Sequence, residues 1–405
     1  MVRKWILDAL YAVIVDQAYS SLYLKQHLHE VDKKDQALAT TIFYGTLRNY
    51  LYCLKMWQQF ANGNKVNRKI KILLTMSVYQ LLFLKKVPSY AIISEAVQIT
   101  KKIRPQAAGF VNAILRKVDK NPVLSFKNEI EEISITFSLP EWLVKMWISQ
   151  YGQEKALNFA KASAEVQFLS VRRNVMKEKV PCDRLIEIHD PIYQYTGKAL
   201  EYDLLYQNGS LSPQDLGAYQ IVEMLDPQEG ESILDVCAAP GTKTMAMAEK
   251  MNGTGQIMAL DLHAHRVQLI ENDKKRLGFG QIMTLEKDAR NLDDLPLYDR
   301  VLCDVPCSGY GTLARKPDIK IHMDSGTMDT LIPLQYDILC QAANHVKEEG
   351  ILVYSTCTLN KKENEKQVER FLKEHENFSL LEQKTIEPSG ISNGFFAAKL
   401  KHGTI

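Results

Sequence analysis

Cysteine is scarce in this chain, and long apolar runs are missing from it. The 405 residues include seven cysteines, none of them in a Cys-x-x-Cys pair. Such spacing favours neither a zinc cage nor a disulfide framework, so we expect reduced thiols, a cytoplasmic protein and no bound metal. No stretch approaches the roughly 20 apolar residues that span a bilayer, so no membrane partner is expected. Asp8 and Asp16 interrupt the apolar start, which favours an amphipathic helix over a signal peptide.

Acidic residues are few in the first third of the chain. Residues 1–128 contain 20 Lys and Arg against seven Asp and Glu, a balance of +13, whereas the whole chain carries only +2. A basic portion joined to an acidic body is typical of a polyanion-binding module attached to a separate chemical unit. The alternative is a basic surface that serves solubility alone.

Apolar periodicity divides the chain into three parts. Residues 1 to about 118 have helical spacing throughout, which predicts an all-helical domain over 1–128. Residues 129–212 give mixed signals, with a helix predicted over 139–162 and a strand over 168–174, and we interpret them as a connecting α/β segment. Residues 213–405 are predicted to form the chemical domain, beginning with a helix that ends near residue 225.

Strands and helices alternate from residue 232 onward. This alternation is typical of a parallel, doubly wound α/β sheet, whose ligands bind beyond the carboxyl ends of the strands. Helices are predicted over 242–250, 263–277 and 327–347. Strands are predicted over 233–236, 256–260, 282–285, 301–303 and 351–354.

A tight turn of small residues follows the first of these strands. Gly-x-Gly-x-x-Gly, the mark of a dinucleotide site, is absent there, which argues against a dehydrogenase. The turn still lets a cofactor approach backbone amides at a helix start, and a sulfonium cofactor needs no pyrophosphate cradle. The turn consists of Cys237, Ala238, Ala239, Pro240, Gly241, Thr242 and Lys243.

Acidic residues stand at the ends of the following strands. Asp261 lies 20 residues beyond Gly241, where an acid suits ribose hydroxyls, and Asp288 is placed to accept from an adenine amino group. Asp304 ends the fourth strand. A single acid of this kind fits a helix cap or turn equally well, but acids at successive strand ends favour a ligand site.

Two cysteines follow strands rather than fill them. Cys307 comes just after the fourth strand and Cys357 just after the fifth, on the ligand face. Cys53, Cys303 and Cys340 are interpreted as small buried side chains. A zinc site built on Cys303 and Cys307 lacks a second cysteine pair and nearby histidines.

These motifs carry a resemblance to a known family. The segments CAAPGTKT, CDVPCSG and YSTCT, with Pro213-Gln-Asp215 before them, resemble those of RNA cytosine-5 methyltransferases. The helical start, with GFVNAILRK at 109–117, resembles a NusB-type RNA-binding domain. Together they resemble the RsmB/Sun family of bacterial ribosomal RNA methyltransferases over nearly the whole chain. Thr242 stands where that family usually has a second glycine.

The resemblance implies an activity and a set of roles. It implies a Rossmann-like domain whose turn, with Asp261, Asp288 and Asp304, holds S-adenosylmethionine, and a cytosine of 16S ribosomal RNA as the target. It also implies that the Cys357 thiolate adds to carbon 6 and that Cys307 assists release of the carbon 5 proton. Two alternatives stay open: the same chemistry on transfer RNA or large-subunit RNA, and a non-catalytic RNA-binding assembly factor. The oligomeric state also stays open, with a monomer expected.

Overall fold

Helices joined by short loops make up the first 164 residues in the part that the structure describes. The computed structural model describes residues 2–61, 63, 65–120, 122–178 and 182–403. Two compact units result: Met1–Glu165 with Leu313–Asp324, and Val166–Thr312 with Ser325–Ile405. The helices of the first stretch are α1 Val2–Ile14, α2 Ser20–His27, α3 Lys33–Arg48, α4 Tyr50–Gln58, α5 Arg68–Phe83, α6 Ser89–Ile103, α7 Ala108–Val118, α8 Glu129–Thr136, α9 Glu141–Tyr151 and α10 Gln153–Ala164.

Helix α5 is the centre of the first unit. The Asn67 side chain caps it by accepting from the backbone N–H groups of Lys69 and Ile70. Most of its residues are buried, including polar Thr75, whose hydroxyl accepts from the Trp57 indole N–H at 3.1 Å. The prediction of helices over residues 1–118 is confirmed.

The predicted helix over 139–162 is wrong in one respect, because it is two helices. Gly152 separates α9 from α10 with φ of 84°, a conformation that residues with a Cβ rarely adopt. The apolar spacing continues across the break, so periodicity alone did not reveal it. Trp147 and Phe159, from the two helices, pack edge to face with ring centroids 5.7 Å apart.

A small antiparallel sheet opens the second unit, with strand order β2-β3-β1-β4. Arg172 of β1 is fully buried and forms two 2.8 Å bonds with the Glu249 carboxylate. The predicted strand over 168–174 is confirmed, though it is shorter. The elements are β1 Ser170–Arg173, β2 Leu185–His189, β3 Ile192–Tyr195, α11 Leu204–Gln207 and β4 Leu211–Pro213.

A seven-stranded mixed sheet carries the rest of the second unit, in the order β10-β11-β9-β8-β5-β6-β7. The predicted α/β fold is confirmed, but the sheet is not wholly parallel, because β10 and β11 form an antiparallel hairpin against β9. Its elements are α12 Leu216–Leu225, β5 Ser232–Asp235, α13 Thr242–Lys250, β6 Gln256–Asp261, α14 Ala264–Leu277, β7 Ile282–Glu286, β8 Tyr298–Asp304, α16 Met328–Ala343, β9 Val346–Thr356, α17 Glu365–Glu374, β10 Phe378–Ile386 and β11 Phe395–His402. One short helix, α15 Ile319–His322, belongs to the first unit.

One predicted helix was too long and included the start of a strand. The helix predicted over 327–347 ends at Ala343, since Val346 already pairs with Tyr298 in the sheet. Among the described residues, no helix is long and apolar enough to cross a membrane.

Candidate active site

The turn between β5 and α13 is shaped by one glycine. Gly241 has φ of 102°, and a Cβ there would meet the Ile270 backbone of α14 at 3.4 Å. The amide of Gly241 donates to Ala238, which closes the turn and lets α13 begin at Thr242. A helix start facing the end of a central strand is a favourable place for a ligand to meet backbone amides.

Asp235, the last residue of β5, is a buried acid that the sequence did not single out as a site residue. Its Oδ2 accepts from the Thr244 hydroxyl at 2.7 Å, whereas its Oδ1 is buried and has no hydrogen-bond partner in the described part of the chain. Burial raises the pKa of this carboxyl to about 7, against a weaker opposing effect of the Thr244 bond.

Asp261 and Asp288 lie at strand ends, as the sequence predicted: Asp261 is the last residue of β6, and Asp288 lies two residues past β7. Asp261 is 3% exposed and accepts from the backbone amides of Ala239 and His263 at 3.3 and 3.4 Å. Asp288 is bound by the Arg290 guanidinium at 2.6 Å, which holds its pKa below the usual value. Asp261 therefore also stabilises the turn after β5 through its bond from Ala239. Asp288 already forms an ion pair with Arg290.

Lys243 and Asp304 form a close ion pair. The Lys243 Nζ lies 2.6 Å from Asp304 Oδ2, and Ser355 donates to the other oxygen at 2.8 Å. Burial alone would lower the pKa of Lys243, but the charges around it, Asp304 first, raise it. Cys357 is another of the groups that raise the pKa of Lys243, so this ammonium and that thiol interact electrostatically.

The two predicted cysteines are brought together. Their sulfur atoms lie 3.2 Å apart without a disulfide bond, and the backbone N–H of Cys357 points at Cys307 Sγ at 3.3 Å. The pKa of Cys307 is raised well above the usual value, first by the hydrogen bond to Cys357, then by burial and by the charge of Cys357. Cys307 is therefore a neutral thiol beside its neighbour at ordinary pH.

Glu363 connects the two loops that carry the cysteines, and the sequence did not predict it as a site residue. It is fully buried, and its carboxylate accepts from the Ser308 backbone amide at 2.9 Å and from the Ser308 hydroxyl at 2.6 Å. Gln335 and Asn360 donate to it at 2.9 and 3.1 Å. Its spacing, six residues after Cys357 and outside every predicted element, gave no signal of this role.

Two glycines permit a close backbone approach behind Cys357. Gly311 donates to the Cys357 carbonyl at 3.0 Å and accepts from the Gly394 amide at 2.8 Å. A Cβ on Gly311 would stand 2.0 Å from the Gly394 oxygen, so no larger residue fits there without movement. This packing ties the start of β11 to the loop that carries Cys357.

Cys237 and Cys303 differ from the paired cysteines. Burial raises the pKa of each thiol well above its usual value, and each packs in the apolar core beside the strands. Within the described ranges, no group of three or more His, Cys, Asp or Glu side chains has an arrangement that would hold a metal ion.

Comparisons with known proteins agree with this architecture. The family model for "16S rRNA methyltransferase RsmB/F" matches residues 222–401, and the NusB family model matches residues 1–120. A Bacillus subtilis (strain 168) protein named probable ribosomal RNA small subunit methyltransferase B is 35% identical over 93% of this chain and 89% of its own length. A Synechocystis protein of the same name is 31% identical over 92% of both chains. The crystal structure of PH0851 has a TM-score of 0.79 at 23% identity and covers 98% of both chains, which is likeness of fold alone.

The mixed sheet, its strand-end turn and the family match define an S-adenosylmethionine-dependent RNA methyltransferase. The chain belongs to the RsmB/F family of 16S rRNA methyltransferases, with a NusB family domain at its start.

Proposed function

We propose that this enzyme methylates carbon 5 of a cytosine in 16S ribosomal RNA through a covalent bond between Cys357 and the base. The observation that carries the proposal is the pair of thiols 3.2 Å apart, past the ends of β8 and β9 and next to the Lys243–Asp304 ion pair. A two-stage covalent route needs one thiol that adds to the base and a second that assists release of the carbon 5 proton.

The cofactor pocket is assigned to the turn from Cys237 to Lys243 with Asp261, Asp288 and Asp304. The residues fit the group, because the positive φ of Gly241 forms a tight turn at the start of α13. Asp261 Oδ1 accepts one long bond of 3.4 Å from the described residues, which leaves capacity for a ribose hydroxyl. Asp235 Oδ1 adds a buried acceptor without a partner among described residues. S-adenosylmethionine supplies an electrophilic methyl group on its sulfonium.

Addition begins the reaction. The Cys357 proton leaves to water, and the thiolate forms a bond to carbon 6 of the cytosine, which moves the double-bond electrons toward carbon 5. A nearby cation favours the thiolate, and Lys243 is that cation. Asp304 would accept from the amino group of the base, while Lys243 stabilises the negative charge that spreads over the ring.

Release follows once carbon 5 carries the methyl group. Cys307 takes the carbon 5 proton, the carbon–hydrogen electrons restore the double bond, and the carbon 6–sulfur bond breaks to return the Cys357 thiolate. Cys357 is the largest cause of the raised pKa of Cys307. Bonded to carbon 6, Cys357 carries neither charge nor proton, which removes the largest cause of the raised pKa of Cys307. Cys307 then gives its own proton to water and takes the carbon 5 proton as a thiolate.

The substrate assignment draws on the family and on charge. Curated relatives are named for the small ribosomal subunit, and the +13 balance of residues 1–128 suits a phosphate backbone. We infer that the enzyme acts in the cytoplasm, as a monomer, on an unstacked cytosine, since flipping a paired base costs a few kcal/mol.

Bisulfite sequencing of ribosomal RNA from a strain that lacks the gene tests the function. We expect one 16S cytosine to lose its protection and to regain it on incubation with purified enzyme and cofactor. Loss of protection in transfer RNA or 23S RNA instead would contradict the substrate. Intact protection everywhere would favour the non-catalytic assembly factor.

A further inference from the structure

A cavity of about 330 Å³ lies within the first unit, apart from the cysteine site. Its polar lining comes from Tyr50, Ser138 and Lys320, and Trp142 forms part of its wall. Lys320 is contributed by α15, from the segment Leu313–Asp324 that joins the helical unit although it follows the Cys307 loop in sequence. Neither the mechanism nor the family comparison gives this cavity a role.

Lys320 is a buried lysine without a carboxylate partner in the part of the chain that the structure describes. It is 5% exposed, and its Nζ donates to the Phe137 carbonyl at 2.9 Å. Burial first, and Arg48 second, lower its pKa well below the usual value. An ammonium taken out of water is costly unless an anion and further acceptors compensate it.

Arg48 places a second cation beside the first. Its Nη2 donates to the Ala314 carbonyl at 3.1 Å, but its Nε is buried and has no partner among described residues. The nearest acid in sequence, Asp318, is already engaged by the Ser20 hydroxyl at 2.7 Å and the Ser20 amide at 3.3 Å. No carboxylate among the described residues forms an ion pair with Lys320 or Arg48.

Two hydroxyl donors complete the lining. Tyr50 is 8% exposed, its hydroxyl makes no bond with any described residue, and burial raises its pKa to about 12, so it stays a donor. Ser138 accepts from the Tyr52 amide at 3.2 Å, which leaves its own O–H to donate. Its φ of 54° is strained for a residue with a Cβ, and such strain is concentrated at functional positions.

We propose that this cavity binds a backbone phosphate of the substrate RNA, with the adjoining nucleotide against Trp142. A phosphate offers several acceptor oxygens and the negative charge with which Lys320 and the neighbouring Arg48 form no ion pair among the described residues. An indole offers a stacking surface to any base. The assignment to RNA rests on the proposed function, whereas the phosphate site itself does not.

Thermal unfolding of the full chain in phosphate, against chloride at equal ionic strength, tests the site. Phosphate at about ten times its Kd should raise the Tm of wild type by about 3 °C. Lys320→Met and Tyr50→Phe should lose most of this shift, and the exposed control Lys316→Met should keep it. Lys320→Met should itself unfold no earlier than wild type, because it removes an uncompensated buried charge. An equal phosphate shift in wild type and both cavity variants would overturn the site.

RNA binding then identifies the source of the phosphate. Lys320→Met should weaken binding of a 16S RNA fragment about tenfold and reduce the salt slope by about one, with Lys316→Met close to wild type. If phosphate protection depends on Lys320 but RNA affinity does not, the occupant is a free phosphate or nucleotide and the RNA assignment is wrong. Failure of the proposed function has a different signature, namely Lys320-dependent RNA binding without methylated cytosine.

Discussion

Burial of the Asp235 carboxyl should make the stability of the second unit depend on pH. The folded-state pKa of this carboxyl, about 7, lies above the usual value of 3.8, so between these values the folded chain holds a proton that the unfolded chain has lost. Stability should therefore fall as pH rises from about 4 to about 7 and then level off. The Asp235→Asn variant keeps an acceptor for Thr244 and has no charge to bury.

The test is thermal unfolding of both proteins without cofactor between pH 5 and 8. The Tm advantage of Asp235→Asn over wild type should grow through this range. Asp273→Asn, on a half-buried residue paired with Arg276, is the control and should show no such growth. A constant difference for Asp235→Asn would mean that the carboxyl is ionised throughout.

Glu363 is the residue that holds the two cysteine loops in register. Glu363→Gln replaces one acceptor oxygen with an N–H₂ donor. The Ser308 amide and the Gln335 side chain, which donate to Glu363, would then face a donor, so buried hydrogen bonds are lost. Losing one such charged acceptor costs about 1–3 kcal/mol. We expect kcat to fall at least tenfold, KM for the cofactor to stay near wild type, and adduct yield to fall with kcat.

Glu369→Gln provides the matched control. Glu369 lies on α17 close by in sequence, is exposed, and pairs with Lys366 at the surface. Its substitution should leave kcat within a factor of two, because exposed pairs contribute little. Equal effects of the two substitutions on kcat would show that Glu363 does not position the cysteines.

At the scale of elements, the Arg172–Glu249 pair fastens the small sheet to α13. Both side chains are at most 2% exposed, and Arg172 also donates to the Thr242 carbonyl at the start of α13. Arg172→Met leaves a buried unpaired carboxylate and should destabilise the protein by about 3–5 kcal/mol in urea unfolding. The double variant Arg172→Met with Glu249→Met should recover most of the loss. A double variant no more stable than the single would mean that packing, not charge, governs this contact.

The elements also show what sequence patterning reaches and what it misses. Strands β5 to β9 were predicted because buried apolar runs bounded by turns are local signals. Hairpin β10–β11 was missed: β10 is largely exposed and β11 is buried on both faces, so neither alternates cleanly. The turn and both cysteines were predicted as site residues because each follows a predicted strand. Glu363 and the transfer of residues 313–324 to the helical unit depend on long-range contacts that no local pattern encodes.

At the scale of the whole molecule, charge is divided between a basic start and an acidic remainder. If residues 1–128 bind RNA through phosphates, affinity of the full chain should fall steeply with salt, since counterions are released from the RNA. Lys101→Gln with Lys102→Gln, at the exposed end of α6, should reduce the slope of log Kd against log salt by up to about two. The control is the double variant Lys366→Gln with Lys373→Gln on α17, which should leave the slope of log Kd against log salt unchanged. A slope near zero in wild type would mean that the charge serves solubility.

If the reaction is covalent, replacing each of the two cysteines should stop it at a different step. Cys357→Ala removes the attacking sulfur, so neither adduct nor methylated RNA should form. Cys307→Ala leaves addition and methyl transfer intact but lacks the group that takes the carbon 5 proton, so enzyme should stay bonded to methylated RNA.

Denaturing gel electrophoresis with labelled 16S RNA and cofactor measures this directly. We expect a slow-migrating protein–RNA band for Cys307→Ala and none for Cys357→Ala, with Cys340→Ala resembling wild type. A band for Cys357→Ala and none for Cys307→Ala would mean that Cys307 is the nucleophile and Cys357 assists release. Methylation retained by both variants, with no band for either, would contradict the thiolate mechanism.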